Sequence, residues 1–200
     1  MEPGDALAER LSSDAAFDRV YDRKIRALSG QHWTPVAVAA RAADLLTRAG
    51  ATRILDVGAG VGKFCIVGAL STAAEFVGVE RREGLVKVAR RAAARLGSTR
   101  ATFVHANIDT FSFDGFEGVY LYNPFYEQIS KFLPLIDREI GRSVAAHRYF
   151  VRTTIEKLLA AAPPLLVAAY HGFGGEMPPE FERMGAEPAG NDQLEMWIKR

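Results

Sequence analysis

Two stretches of the chain carry residues whose types and spacing can do chemistry. The first is Asp56-Val57-Gly58-Ala59-Gly60-Val61-Gly62-Lys63, three glycines at alternate positions with a carboxylate two residues ahead of the first. Glycine lets a backbone approach a ligand with no Cβ in the way, and a helix starting behind it offers unpaired N–H groups. Glu80 adds a second carboxylate at the end of Phe76-Val77-Gly78-Val79. An acid at such a strand tip is placed to accept both hydroxyls of a ribose. The second stretch is Asn123-Pro124-Phe125-Tyr126. Its carbonyl oxygens can accept the protons of an amino group, and its rings can stack on a planar molecule.

The elements that must position these residues are readable around them. Ile54, Leu55 and Val57 read as a short buried strand, and Phe64 to Leu70 as an apolar helix packed on a sheet. Phe76 to Glu80 is a second strand and Thr102 to His105 a third. Gly118 to Tyr122 is a fourth that runs directly into Asn123, and Leu165 to Tyr170 is a fifth. In a doubly wound sheet the carboxyl ends of such strands open on one crevice, so both stretches should face the same ligand.

Spacing narrows the ligand. A P-loop needs glycine, four residues, then Gly-Lys-Ser/Thr; here Val57 stands five before Gly62 and Phe64 follows Lys63. The dinucleotide turn is G-x-G-x-x-G, whereas this one is G-x-G-x-G. Asp56 would sit poorly beside a pyrophosphate but suits a cationic amino group. S-adenosylmethionine has that amino group, a ribose and no phosphate.

The stretch at 56–62 resembles motif I of the class I S-adenosylmethionine-dependent methyltransferases, with Glu80 as their acidic residue after the second strand. The resemblance covers roughly residues 31–200 and implies a three-layer, Rossmann-like α/β sandwich. Its seven-stranded sheet is parallel except for the last strand, which closes a C-terminal antiparallel hairpin. Cofactor contacts are then expected from Asp56, Gly58, Gly60, Gly62 and Glu80. Thr34, ahead of Pro35, resembles the segment whose hydroxyl and helix N–H groups meet the methionine carboxylate. It also reads as a simple N-cap, with Pro35 at the first helical position. Asn107 is placed to bond the adenine amino group and the Ile108 N–H a ring nitrogen, with Asp109 as the alternative to Asn107. Arg81 stands where the family usually has an apolar residue, and its guanidinium could stack on the adenine.

Asn123, Pro124, Phe125 and Tyr126 resemble the [Asn/Asp]-Pro-Pro-[Tyr/Phe] motif of methyltransferases acting on planar amino groups, with Phe in place of the third-position Pro. The resemblance implies an N-methyltransferase whose acceptor (nucleobase, protein side chain or small amine) stays open. Its rivals are a nicotinamide-dependent reductase, against the glycine spacing, and a cofactor-binding module without turnover. Such transfers rest mainly on positioning, consistent with a sequence that displays no Cys/His, Ser/His/Asp or paired-carboxylate constellation and no metal-ligand spacing.

The remaining chain reads as scaffold. Residues 1–30 form one or two helices ending at Gly30, an accessory arm without which the 31–200 domain is expected to fold. A helix of roughly 83–96 carries an arginine-rich face. Two helices near 127–140 and 143–162 make an insertion beside the fourth strand, a candidate for acceptor recognition. Pro178-Pro179 opens a short helix, and 184–188 and 193–198 are the hairpin strands. A net charge of +1 gives no overall field toward nucleic acid or membrane. One cysteine, Cys65, allows no intrachain disulfide. No signal peptide or membrane span is readable, which makes a cytoplasmic protein the expectation.

Overall fold

Strand β1 (Arg53–Val57) alternates its side chains between two cores, and the rest of the sheet repeats that alternation. Ile54 joins a core cluster with Phe76 and Tyr120, while Leu55 and Val57 join the opposite one with Val77, Val79 and Val119. The chain is seen here as a computed structural model that describes residues 3–136 and 142–200. The further strands are β2 (Glu75–Glu80), β3 (Ala101–His105), β4 (Gly118–Tyr122), β5 (Leu165–Tyr170), β6 (Phe181–Ala189) and β7 (Asp192–Lys199). They form one sheet in the order β3-β2-β1-β4-β5-β7-β6, with β7 antiparallel to both its neighbours. The seven-strand expectation and its terminal hairpin therefore hold.

The order reverses between β1 and β4, which both follow the expected parallel pairing. That switch point opens a crevice at the carboxyl ends of the strands. Helices α5 (Val36–Arg48), α6 (Lys63–Ser71) and α7 (Glu83–Arg95) contribute to the first cluster, and α8 (Val144–Ala160) to the second.

The N-terminal residues form short turns of helix: α1 (Pro3–Arg10), α2 (Asp14–Phe17), a 3₁₀ turn (Asp18–Val20), α3 (Arg23–Arg26) and α4 (Ser29–His32). Gly30 is therefore inside a helical turn and stops nothing. Phe17 and Tyr21 lie in the first core, exposed by only 1% and 4%. Asp14 accepts the Val36 N–H at 2.8 Å. This corrects the expected cap: Pro35 occupies the N-cap position, and a carboxylate 22 residues away does what the Thr34 hydroxyl was expected to do.

The insertion also differs. After the 3₁₀ turn Tyr126–Gln128 the described chain to residue 136 is irregular, and 137–140 of the expected first helix lie outside the described residues. Side chains take the backbone groups a helix would have used. Ser130 Oγ accepts from the N–H groups of Phe132 and Leu133, Glu127 Oε1 accepts from Ile136, and Arg142 donates to the carbonyls of Ser130 and Leu133. Pro134 cannot donate at all. Phe132 is 94% exposed. At the C-terminus Pro178-Pro179 leads into a turn, not a helix. Strand β6 is longer than expected, with a bulge between Arg183 and Gly185.

Candidate active site

The turn after β1 and the end of β2 are locked together. Gly58 and Ala59 donate to the Val79 carbonyl at 2.9 and 3.0 Å. Glu80 Oε2 accepts the Gly60 N–H at 3.1 Å, and Oε1 accepts the Arg82 N–H at 2.9 Å. Each carboxylate oxygen keeps acceptor capacity for a hydroxyl. Glu80 is thus fixed in place before any ligand arrives.

Gly58, Gly60 and Gly62 all have positive φ. What a side chain would meet there is protein: a Cβ on Gly60 would lie 2.6 Å from the Trp33 ring, and one on Gly58 would lie 3.0 Å from Pro124 Cβ. The glycines therefore let Trp33 and the Asn-Pro segment close on the turn. Gly62 starts α6 beneath the Phe103 ring and lines neither cavity described below.

Two cavities flank the turn. The larger, about 360 Å³, is lined by Thr34, Asp56, Gly58, Gly60 and Glu80 together with Tyr122, Asn123, Pro124, Tyr126, His171 and Asn191. The smaller, about 50 Å³, is shaped by Arg81, Asn107, Ile108, Phe125, Gln128 and Phe150. Glu80, Gly58 and Pro124 line both. A ribose held at Glu80 would place a base in the small cleft and an amino-acid tail in the large one. The residues present fit S-adenosylmethionine in that division.

In the small cleft, Asn107 Oδ1 accepts the Ile108 N–H at 2.9 Å, so the N–H expected to meet an adenine nitrogen is held by the neighbouring side chain. Asp109 lines neither cavity. The Arg81 guanidinium lies 5.5 Å over the Phe150 ring, and Phe150 stacks on Phe125 at 5.5 Å. Phe125 thus belongs to this cleft, whereas Tyr126 lines the larger cavity. Thr34 is buried and shares a hydrogen bond of 3.2 Å with the Tyr120 hydroxyl.

Asp56 is buried at the wall of the large cavity. Burial pushes its carboxyl up to about 7, the nearby Glu80 charge adds to the rise, and the Cys65 thiol opposes it by donating a hydrogen bond at 3.5 Å. Burial also pushes the Cys65 thiol up, so it stays protonated. A cationic amino group at Asp56 would restore the ionised form.

The structure adds residues that sequence reading did not single out. Lys63, exposed by only 2%, holds Asp14 at 2.7 Å, Asp18 at 2.8 Å and Ser29 Oγ at 3.1 Å. Tyr21 donates to the Val61 carbonyl. These bonds fasten the N-terminal turns to the glycine loop. At the other end, His171 Nδ1 lies 2.6 Å from Asp192 and Nε2 3.1 Å from Asn191 Oδ1, a contact that sequence reading did not single out. The two residues are far apart in sequence. The pairing of Tyr170 with Leu194 in antiparallel strands brings the hairpin turn to the end of β5. That was the available signal: a hairpin packed against β5 must return its turn to the crevice.

Asn123 (φ 40°) and His171 (φ 55°) are the non-glycine residues with positive φ among those described. They follow paired strands β4 and β5, and the Asn123 N–H donates to the Gly172 carbonyl at 2.8 Å. Strained conformations of this kind cluster at functional sites. No group of His, Cys, Asp and Glu among the described residues is arranged for a metal, and no described helix is long and apolar enough to cross a membrane.

Comparison with known proteins agrees with this geometry. Among curated proteins, none matches the chain significantly by sequence. An RNA methyltransferase from Salinibacter ruber, solved with S-adenosyl-L-homocysteine, superposes with a TM-score of 0.58 at 19% identity, covering 83% of this chain and 92% of its own. A provisionally assigned O-methyltransferase from Klebsiella pneumoniae gives 0.59 at 16% identity, covering 92% and 89%. TrmN from Thermus thermophilus gives 0.53 at 16%, covering 85% of this chain and 55% of its own. At these identities the likeness establishes the fold. The family model described as "Methyltransferase domain" matches residues 49–125, from the approach to β1 through Phe125. The match covers the stretch that carries β1, the glycine turn, Glu80 and Asn123, and over that stretch the chain is similar to a methyltransferase domain.

Proposed function

We propose that the protein transfers a methyl group from S-adenosylmethionine to an amino group on a planar acceptor. The observation that supports this reading best is the placement of Asn123. It stands at the end of β4 in a left-handed backbone conformation and lines the cavity that also holds Asp56 and Glu80. The cofactor, when bound, supplies an activated methyl on a sulfonium. Glu80 would accept the ribose hydroxyls, Asp56 would pair with the amino group, and Asn107 would meet the adenine.

An amino group conjugated to a ring is a poor nucleophile because its lone pair is delocalised. The Asn123 side-chain oxygen and the Pro124 carbonyl can each accept one of its protons and draw the nitrogen toward tetrahedral geometry. That contact strengthens as positive charge develops on nitrogen, so it stabilises the transition state more than the bound acceptor. Tyr122 and Tyr126 supply aromatic faces in the same cavity. Beside it, Phe132, Lys131 and Arg142 are exposed, a surface suited to a base on a phosphate-bearing strand.

The test is transfer of labelled methyl from S-adenosylmethionine into separated RNA, DNA, protein and small-molecule fractions of a cell extract, with the product's linkage identified. Label on a nucleobase amine supports the reading. Label on oxygen, carbon or sulfur would overturn the amino-group acceptor, and no label in any fraction would leave a binding module.

A further inference from the structure

Gln128 is a buried polar residue of the small cleft that none of the expected cofactor contacts uses. It lines the cleft beside Asn107, Phe125 and Phe150, and only 5% of it is exposed. Its side-chain Oε1 is buried and has no hydrogen-bond partner. Leaving an acceptor buried and unmet costs the folded protein free energy, and native interiors hold few such groups. The main chain keeps the residue at the cleft. Its N–H donates to the Phe125 carbonyl at 3.1 Å, and its own carbonyl accepts the Ser143 N–H at 3.0 Å. Asn107 contrasts with it, because both ends of that amide are bonded within the chain. Oδ1 accepts the Ile108 N–H at 2.9 Å and Nδ2 donates to Asp109 Oδ2 at 3.4 Å. Arg82 Nε is a further unmet atom of the cleft lining, but it is a donor, and its guanidinium already holds Glu127. Among the described residues of the cleft, the unmet buried acceptor is on Gln128.

We infer that Gln128 selects the base of the cofactor: Oε1 accepts an N–H of the adenine amino group, and Nε2 donates to the ring nitrogen beside it, N7. The inference rests on S-adenosylmethionine as the cofactor and not on the identity of the methyl acceptor. A primary amide suits this edge, because its acceptor and donor lie side by side in one plane, as adenine's donor and acceptor do. The last torsion of a glutamine is broad and roughly two-fold, so the amide can turn to meet an entering base while its backbone stays fixed. The amino group has two N–H bonds, and the second is left for the Asn107 oxygen. Phe125 and Phe150, stacked at 5.5 Å, keep the surroundings apolar, where a hydrogen bond counts for more. A 6-oxopurine offers two acceptors along the same edge. Whichever way the amide turns, its oxygen then faces one of them.

The test is calorimetric titration of the full chain with S-adenosylhomocysteine and with S-inosylhomocysteine, its 6-oxo analogue. Wild-type protein should prefer the amino compound by about 5–150-fold, the range for one bidentate base contact. In Gln128→Met, which keeps a similar volume without the amide, that preference should shrink by about fivefold or more. The 7-deaza analogue of S-adenosylhomocysteine, which lacks N7, should bind wild-type protein about 2–10-fold more weakly than the parent compound. Gln128→Met should not tell these two apart. The urea midpoint of free Gln128→Met should be level with wild type or higher, since an unmet buried acceptor has been removed. Wild-type protein that binds either analogue as tightly as S-adenosylhomocysteine would overturn the inference without any variant. So would a preference that Gln128→Met leaves intact. Wild-type protein that binds none of these compounds would instead overturn S-adenosylmethionine as the cofactor.

Discussion

The two walls of the large cavity are built in opposite ways. The cofactor wall comes from a nearly continuous stretch, β1 to the end of β2, and its polar groups bond to one another through the backbone. Glu80 holds Gly60 and Arg82, and the loop carbonyl of Val61 is bound by Tyr21. The proposed acceptor wall is gathered from the ends of β4 and β5 and from the tip of the β6–β7 hairpin, and beside the Asn123–Gly172 backbone bond it is held by contacts between side chains. The backbone strain lies there, at Asn123 and His171. A wall made of backbone bonds keeps one shape for one cofactor. A wall made of side chains on loop tips can change its acceptor by substitution while the sheet stays the same.

If the two walls are separable in function, they should fail separately. The largest effect is expected from Asn123→Ala: turnover down by about 10²–10³, the range for one preorganised polar contact, with S-adenosylhomocysteine affinity changed only a few-fold. Calorimetry showing an equal loss of affinity would merge the walls. Next comes Asp18→Ala, which leaves the buried Lys63 short of a partner that lies 2.8 Å away. It should cost about 3 kcal/mol in urea unfolding, the scale of a broken buried pair. A loss below about 1 kcal/mol would mean that Asp14 alone suffices.

Glu80→Ala should weaken cofactor binding by about 1.5–3 kcal/mol, as for hydrogen bonds to a charged group. Turnover at saturating cofactor should largely persist; a collapse there would mean that the ribose clamp also positions the acceptor. The smallest effect is a pH dependence. Below about 7 the Asp56 carboxyl is protonated in the free protein, and a cationic amino group pairs only with the ionised form. Affinity should therefore rise as pH increases toward 7, by up to about tenfold per unit, then level off. Asp56→Asn should flatten that slope, and a slope that survives the substitution would assign it to another group.

The same contrast explains what was legible in the sequence. Asp56, Gly58, Gly60, Glu80 and Asn123 could be placed at the cavity because each sits at or just after the end of a strand whose apolar run is continuous, whereas Gly62 lies outside it. Thr34 was misread as a cap because its competitor, Asp14, reaches α5 from across the fold. The helix expected from 127 was misread because Glu127, Ser130 and Arg142 bond the backbone of 130–136 directly, and local apolar spacing carries no sign of that. Asp192 was invisible as a partner of His171 until the antiparallel register set the hairpin turn against β5. The arm at 1–30 was expected to be dispensable. Phe17 and Tyr21 in the core and the grip on Lys63 favour a different proposal, that residues 14–33 are part of the domain's stable unit.

The chain has two tryptophans, and they stand in very different places. Trp33 lies over Gly60 at the cofactor loop, whereas Trp197 sits on β7 beneath the Arg183 guanidinium. Near-ultraviolet emission from this protein is thus the sum of one indole beside the cofactor wall and one remote from it. In Trp197→Phe, excited selectively at the red edge of the indole band, the remaining indole signal would come from Trp33 alone. Cofactor occupancy could then be followed optically, in stopped flow and without a label, before any methyl acceptor is known.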